Sequence, residues 1–185
     1  MRYYDICSPV LRGDDDTHLL KPYHESMSPE VDACNFTFPS SGLVMVTSKS
    51  PRSHKRAVER IAKFFQREMH FDFPQYEASE YSRNIYLDDA KTDADLRAFL
   101  WHNKEVFNQA TNEWPIIGVA CFRFKRFKDG GIWVLDWVWI HPYERRRGHL
   151  KMAWPFFKSM FGDFGLTPPV SPSMANFVRK MQIAQ

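Results

Sequence analysis

The chain has 185 residues, 44% of them apolar and 16% aromatic, which is enough for one domain with a sizeable core and too apolar for a disordered tail. Its 25 lysines and arginines against 22 acidic residues leave a net charge of +3, too small a global field to point to nucleic acid. Three cysteines, Cys7, Cys34 and Cys121, are an odd number, which argues against a secreted disulfide scaffold and for a reducing cytoplasm.

Residues 1–40 are polar and broken by prolines 9, 22, 29 and 39, so an irregular segment packed on the domain is expected there. The opening MRYYDICSPVLRGDDD holds no apolar core of signal-peptide length, and no window approaches the ~20 apolar residues of a membrane span. Cys7, His18, His24 and Cys34 match no compact metal-ligand spacing, so no metal site is expected.

From residue 41 the pattern becomes regular. GLVMVTS (42–48) reads as a short buried strand. SPRSHKRAVERIAKFFQREMHF follows as a helix, with Ser53 as its cap and Ala57, Val58, Ile61, Phe64 and Phe65 on one face. RNIYLDD (83–89) reads as a strand, and DADLRAFLWHNKEVFNQA (93–110) as a helix striped by Leu96, Phe99, Leu100 and Phe107.

PIIGVACFRF (115–124) and IWVLDWVWI (132–140) read as two strands of a hairpin, joined through Asp129-Gly130. On period two, Trp133, Leu135, Trp137 and Trp139 share one face of the second strand. Both faces are apolar, which marks a central strand covered on both sides. Asp136 is its one charged residue.

After HPYERRRG a helix begins, with Leu150, Ala153, Trp154, Phe157, Met160 and Phe161 along one side. Pro155 should kink or shorten it, and Gly162 or Gly165 should end it. LTPPVSP is extended, and SMANFVRKMQIA closes the chain as a short helix capped by Ser173. The order implies a single α/β (α+β) domain over residues 41–185 with a mixed sheet.

The junction HPYERRRGHL has a chemistry of its own. A strand that turns directly into a helix leaves free backbone N–H groups and a partial positive charge at the helix start. Gly148 lets a ligand approach that backbone, and Arg145, Arg146 and Arg147 add charge and paired donors. The arrangement reads as a cradle for a diphosphate. Taken alone, three arginines are a solvated surface cluster; their place between a buried strand and an amphipathic helix favours the cradle.

WVWIHPYERRRGHL also resembles the acetyl-CoA motif of the GNAT superfamily of N-acetyltransferases: a buried strand, a turn, then [QR]-x-x-G-x-[GA] opening a helix. Arg145 and Gly148 match the pattern, and Leu150 departs from its small last residue. The likeness covers residues 115–180, and PPVSPSMANFVRK faintly resembles the tail of cohesion-establishment lysine acetyltransferases.

The resemblance implies a mixed, mostly antiparallel central sheet flanked by helices, and direct transfer of an acetyl group from acetyl-CoA to an amine, on a small molecule or a protein. It implies that main-chain groups of Trp139 and Ile140 meet the pantetheine. Arg145, Arg146, Arg147, Gly148, His149 and Leu150 would then hold the diphosphate. Asp136 is the candidate general base, weighed equally against a structural carboxylate paired with a neighbouring arginine or a backbone amide; His141 and Glu144 are second choices. The family often protonates the leaving thiolate from a tyrosine on the last helix; here Phe177 stands there, leaving Ser171, Ser173 or water for the part. The alternatives are a non-catalytic acyl-CoA-binding domain and, disfavoured by charge, a nucleic-acid module using Arg145–Arg147. A monomer or homodimer without a membrane partner is expected.

Overall fold

A computed structural model of the chain describes residues 9–12, 43–47, 50–72, 75–78, 96–102, 113–128 and 130–183. In chain order these form β1 (Val10–Arg12), β2 (Leu43–Val46), α1 (Arg52–Met69), β3 (Leu96–His102), β4 (Glu113–Phe127) and β5 (Gly130–Ile140). A 3-10 turn (Pro142–Glu144), α2 (His149–Phe161), β6 (Gly165–Leu166) and α3 (Pro172–Ile183) complete them. The sheet runs β2-β3-β4-β5-β6, and β1 pairs with the start of β4. All pairings are antiparallel except β5 with β6. A mixed, mostly antiparallel sheet flanked by helices is therefore the fold. Among the described residues, no helix is long and apolar enough to cross a membrane.

The sheet separates two cores. On one side α1 lays Ala57, Val58, Ile61, Ala62 and Phe64 against Val44, Val46, Ala98, Leu100 and Val119. The helical stripe expected from the sequence is the buried one, and Phe65 flanks it, stacked 5.5 Å from Trp137. On the other side α2 and α3 cover an aromatic core of Phe99, Trp101, Phe122, Trp154, Phe156 and Phe157. Phe122 stacks on Phe161 at 4.4 Å and meets Phe164 edge-on at 5.0 Å.

Several sequence expectations need correction. The helix expected over 93–110 is, as far as it is described, the strand β3. Leu96–His102 pairs with both β2 and β4, sending Ala98 and Leu100 to one core and Phe99 and Trp101 to the other. A strand buried on both faces is a continuous apolar run, which periodicity cannot tell from a buried helix. The irregular segment 1–40 contributes the strand β1 at Val10–Arg12, while the strand expected over 83–89 lies outside the described residues.

The cap of α1 is Pro51, whose carbonyl accepts from Lys55 N at 3.2 Å; Ser53 lies inside the first turn. Proline at that position fixes a φ of −52° at no cost in donors the helix needs. Pro155 does not shorten α2, which runs through it to the left-handed Gly162. Ser171, rather than Ser173, caps α3: its Oγ accepts from Met174 N at 3.2 Å and its carbonyl from Ala175 N at 2.9 Å.

Candidate functional site

The site is prepared in the middle of β5. Opposite Cys121 and Phe122 the register slips, so that Cys121 faces Trp137 while Phe122 faces Leu135. Asp136 is the extra residue of a β-bulge, and such a residue reverses which face each later side chain takes. Trp133 and Leu135 pack in the core under α2; beyond the bulge Val138 and Ile140 take that face, and Trp137 and Trp139 turn to the core under α1. The four residues expected on one face are thus split two and two.

The main chain changes phase at the same point. Leu135 O accepts from Thr167 N at 3.1 Å, and the parallel pairing with β6, Val134↔Gly165 and Leu135↔Leu166, goes no further. Downstream, His141 N donates to Ile117 O at 2.7 Å, on the β4 side. Alternation along a strand then directs Trp139 to β4 as well, and Val138 and Ile140 to the edge that β6 has left. β4 follows closely along this stretch: a Cβ on Gly118 would stand 2.8 Å from Trp139 O. Of the two residues the resemblance offers to the pantetheine, Ile140 faces the open edge and Trp139 faces β4.

The loop after β5 is folded on itself. Glu144 N donates to His141 O at 2.8 Å, and His141 Nδ1 accepts from Tyr143 N at 3.4 Å. Arg146 (φ 64°) and Gly148 (φ 88°) are both left-handed, and such residues in a turn aim successive N–H groups to one side. No side chain caps α2, so the N–H groups of its first turn stay available to an anion or to water. A Cβ at Gly148 would meet nothing within 4 Å, so the conformation, not crowding, calls for glycine here, and the space above it is open.

The three arginines go three ways. Arg145 turns back onto the fold: its Nη2 donates to Glu68 Oε2 at 2.6 Å and its Nε to Ile140 O at 2.8 Å, with the guanidinium 5.9 Å from the Trp139 ring. Arg147 Nη1 donates to both oxygens of Glu144 at 3.3 Å, and His149 Nε2 lies 3.2 Å from Glu144 Oε2. Arg146 is exposed and makes no hydrogen bond or ion pair among the described residues. Lys151, also exposed, adds a cation to the first turn of α2 that the motif did not single out. Leu150 is half-buried and packs on the core under α2, which its size allows and a smaller residue would leave thinner.

Glu68, near the end of α1, is the residue that sequence reasoning missed. Its Oε2 also accepts from Trp139 Nε1 at 2.8 Å, so one carboxylate holds the end of β5 and the loop together. Burial pushes its pKa up, but the hydrogen bonds from Arg145 and Trp139 and the charge of Arg145 outweigh this and hold it below the usual value. It stands 71 and 77 positions from its partners, and nothing in the local pattern links them.

Asp136 pairs with Arg123, Nε to Oδ2 at 3.1 Å, and its carboxylate is largely buried. That is the structural pairing weighed beside the catalytic role. Neighbouring Cys121 is fully buried, and this burial, with the Asp136 charge added, pushes its thiol pKa well up. On α3, Ser173 is exposed, Ser171 is engaged as the cap, and Phe177 packs edge-on against Trp154 at 5.0 Å. The aromatic of the last helix thus belongs to the core.

No protein-family model and no curated protein matches the sequence. Among solved structures, the chain is similar to a probable acetyltransferase at 12% identity and a TM-score of 0.44, over 76% of this chain and 87% of that one. It is also similar to a tetramutant of the BH1408 protein from Bacillus halodurans at 9% identity and a TM-score of 0.42, over 77% and 90% of the two chains. Neither extends the likeness of the tail to cohesion-establishment acetyltransferases.

Proposed function

We propose that the chain is a GNAT-type N-acetyltransferase that moves an acetyl group from acetyl-CoA to an amine of a small molecule or protein. One observation carries the reading: β5 loses its β6 partner at a bulge and leads, four residues later, into a left-handed loop and an uncapped helix. An open strand edge suits the amide-bearing arm of the cofactor, and the helix start suits its diphosphate. The N–H groups at the start of α2, with Arg146, Arg147, His149 and Lys151, would hold the diphosphate, and Val138 and the N–H of Ile140 would meet the pantetheine, the Ile140 carbonyl being taken by Arg145. Arg145 serves as the brace that fixes the loop to α1.

In the transfer, the amine nitrogen attacks the thioester carbonyl carbon, the C–S bond breaks, and the sulfur leaves with its electron pair. The amine proton needs an acceptor. Asp136 lies where β5 and β6 part, and its role is tested by Asp136→Asn: undiminished turnover across pH would remove it as the base. Ser173, unengaged by the cap, is the hydroxyl left on α3 to deliver a proton to the thiolate. The pairing of Asp136 with Arg123 favours a second reading, a domain that binds acyl-CoA without turnover.

The test is thermal. A ligand at 100 times its Kd stabilises the fold by about 2.7 kcal/mol, so acetyl-CoA should raise the melting temperature by several degrees. No shift at millimolar acetyl-CoA counts against both readings. Release of free thiol with a panel of amines separates the enzyme from the sensor.

A further inference from the structure

Glu144 occupies an unexpected position for an anion-binding loop. It ends the 3-10 turn, its backbone N–H held by His141 O at 2.8 Å, and so belongs to the loop itself. Its carboxylate accepts from Arg147 at 3.3 Å through both oxygens and meets His149 Nε2 at 3.2 Å. The Glu144 side chain is 14% exposed and that of His149 18%, whereas Arg147 is 59% exposed. Two donors flanking Gly148 therefore converge on one negative group, close to the positive end of α2.

We propose that Glu144 is an internal competitor for this site: its carboxylate takes the donors, Arg147 and His149, that the diphosphate of an acyl-CoA must take to bind. The inference rests on the acyl-CoA reading above and adds a determinant of affinity and of ligand charge. A single weakly charged group gains little by displacing a carboxylate from the same partners. A diphosphate brings more charge and more acceptor oxygens than it displaces, so the loop selects for it. The turn at Pro142–Glu144 supports the carboxylate from outside the helix, so it can swing off without unwinding α2.

The experiment is titration calorimetry of CoA and of inorganic pyrophosphate into wild type, Glu144→Gln and Glu144→Asp, each first shown to melt cooperatively. The glutamine variant keeps the shape and removes the charge. It should bind both probes about five-fold more tightly, the scale of a partly exposed ion pair, and the gap should narrow at about 0.5 M salt. The aspartate keeps the charge on a stem too short for both donors and should fall between the two. If wild type binds CoA and the glutamine variant binds equally or more weakly, Glu144 is a brace that orients Arg147 and His149, and the proposal is overturned. Should Glu144→Gln not fold, an aspartate variant no tighter than wild type overturns it as well. Failure of every folded variant, wild type included, to bind CoA removes the acyl-CoA reading and this inference with it.

Discussion

Replacing Glu68 with alanine tests the idea that one carboxylate ties the loop to α1. The substitution leaves Trp139 Nε1 without its acceptor on a residue only 4% exposed. A buried donor stripped of its partner costs about 1–3 kcal/mol. The pair with Arg145 adds at most about 1 kcal/mol, since its side chains are 36% and 38% exposed and screened by water. Together the loss should be about 2–3 kcal/mol, or roughly 5–10 °C in Tm for a domain of this size. Urea unfolding followed by circular dichroism measures it, and Glu68→Gln, which keeps an acceptor, should lose about half as much.

The pH dependence has a definite sign. The hydrogen bonds and charge that Arg145 and Trp139 bring hold the folded-state pKa of Glu68 below that of an ordinary glutamate, so its contribution is present above the unfolded pKa and is lost as pH falls through the folded one. The gap between wild type and Glu68→Ala should therefore be wide at neutral pH and shrink at about pH 3. A loss under about 0.5 kcal/mol, or an equal gap at both pH values, would refute the role given to Glu68.

Two further outcomes are expected. Ser171→Ala should cost about 1 kcal/mol through the lost cap on α3, while Ser173→Ala should change stability by less than about 0.5 kcal/mol; matched losses in urea unfolding would contradict the assignment of the cap. The Cys121 thiol, buried and held protonated, should resist alkylation in the native protein and react on unfolding, as peptide mass mapping would show; native-state labelling at Cys121 would contradict its burial.

Much of this architecture was legible in the sequence wherever one face of an element meets water. The stripe of α1 was readable because charged residues fill the opposite side of that helix, and that of α2 from the spacing of its apolar residues, although Met152, Pro155 and Ser159 share its wet side with Lys151. The hairpin of β4 and β5 was readable from two long apolar runs around Asp129-Gly130. The strand β3 was not, because Ala98, Phe99, Leu100 and Trp101 are all buried, and a segment wet on neither face shows no period. The bulge at Asp136 was hidden for a related reason: apolar residues alternate with apolar residues on both sides of it, so a change of phase leaves no trace in the pattern. At the candidate site, the helix start at Gly148 could be read from the junction. The separate fate of Arg145 could not, since it depends on a glutamate from α1 that only the tertiary fold brings near.

The bulge also ranks the changes that β5 can absorb. Substituting Asp136 alters one side chain and its bond to Arg123. Deleting it would act as a frame correction, restoring an unbroken ladder and exchanging one core for the other over the next four residues. Trp137 and Trp139 would be driven toward α2, Val138 and Ile140 toward α1, and the indole that Glu68 holds would leave its side of the sheet. For this strand, residue count matters more than residue identity at position 136.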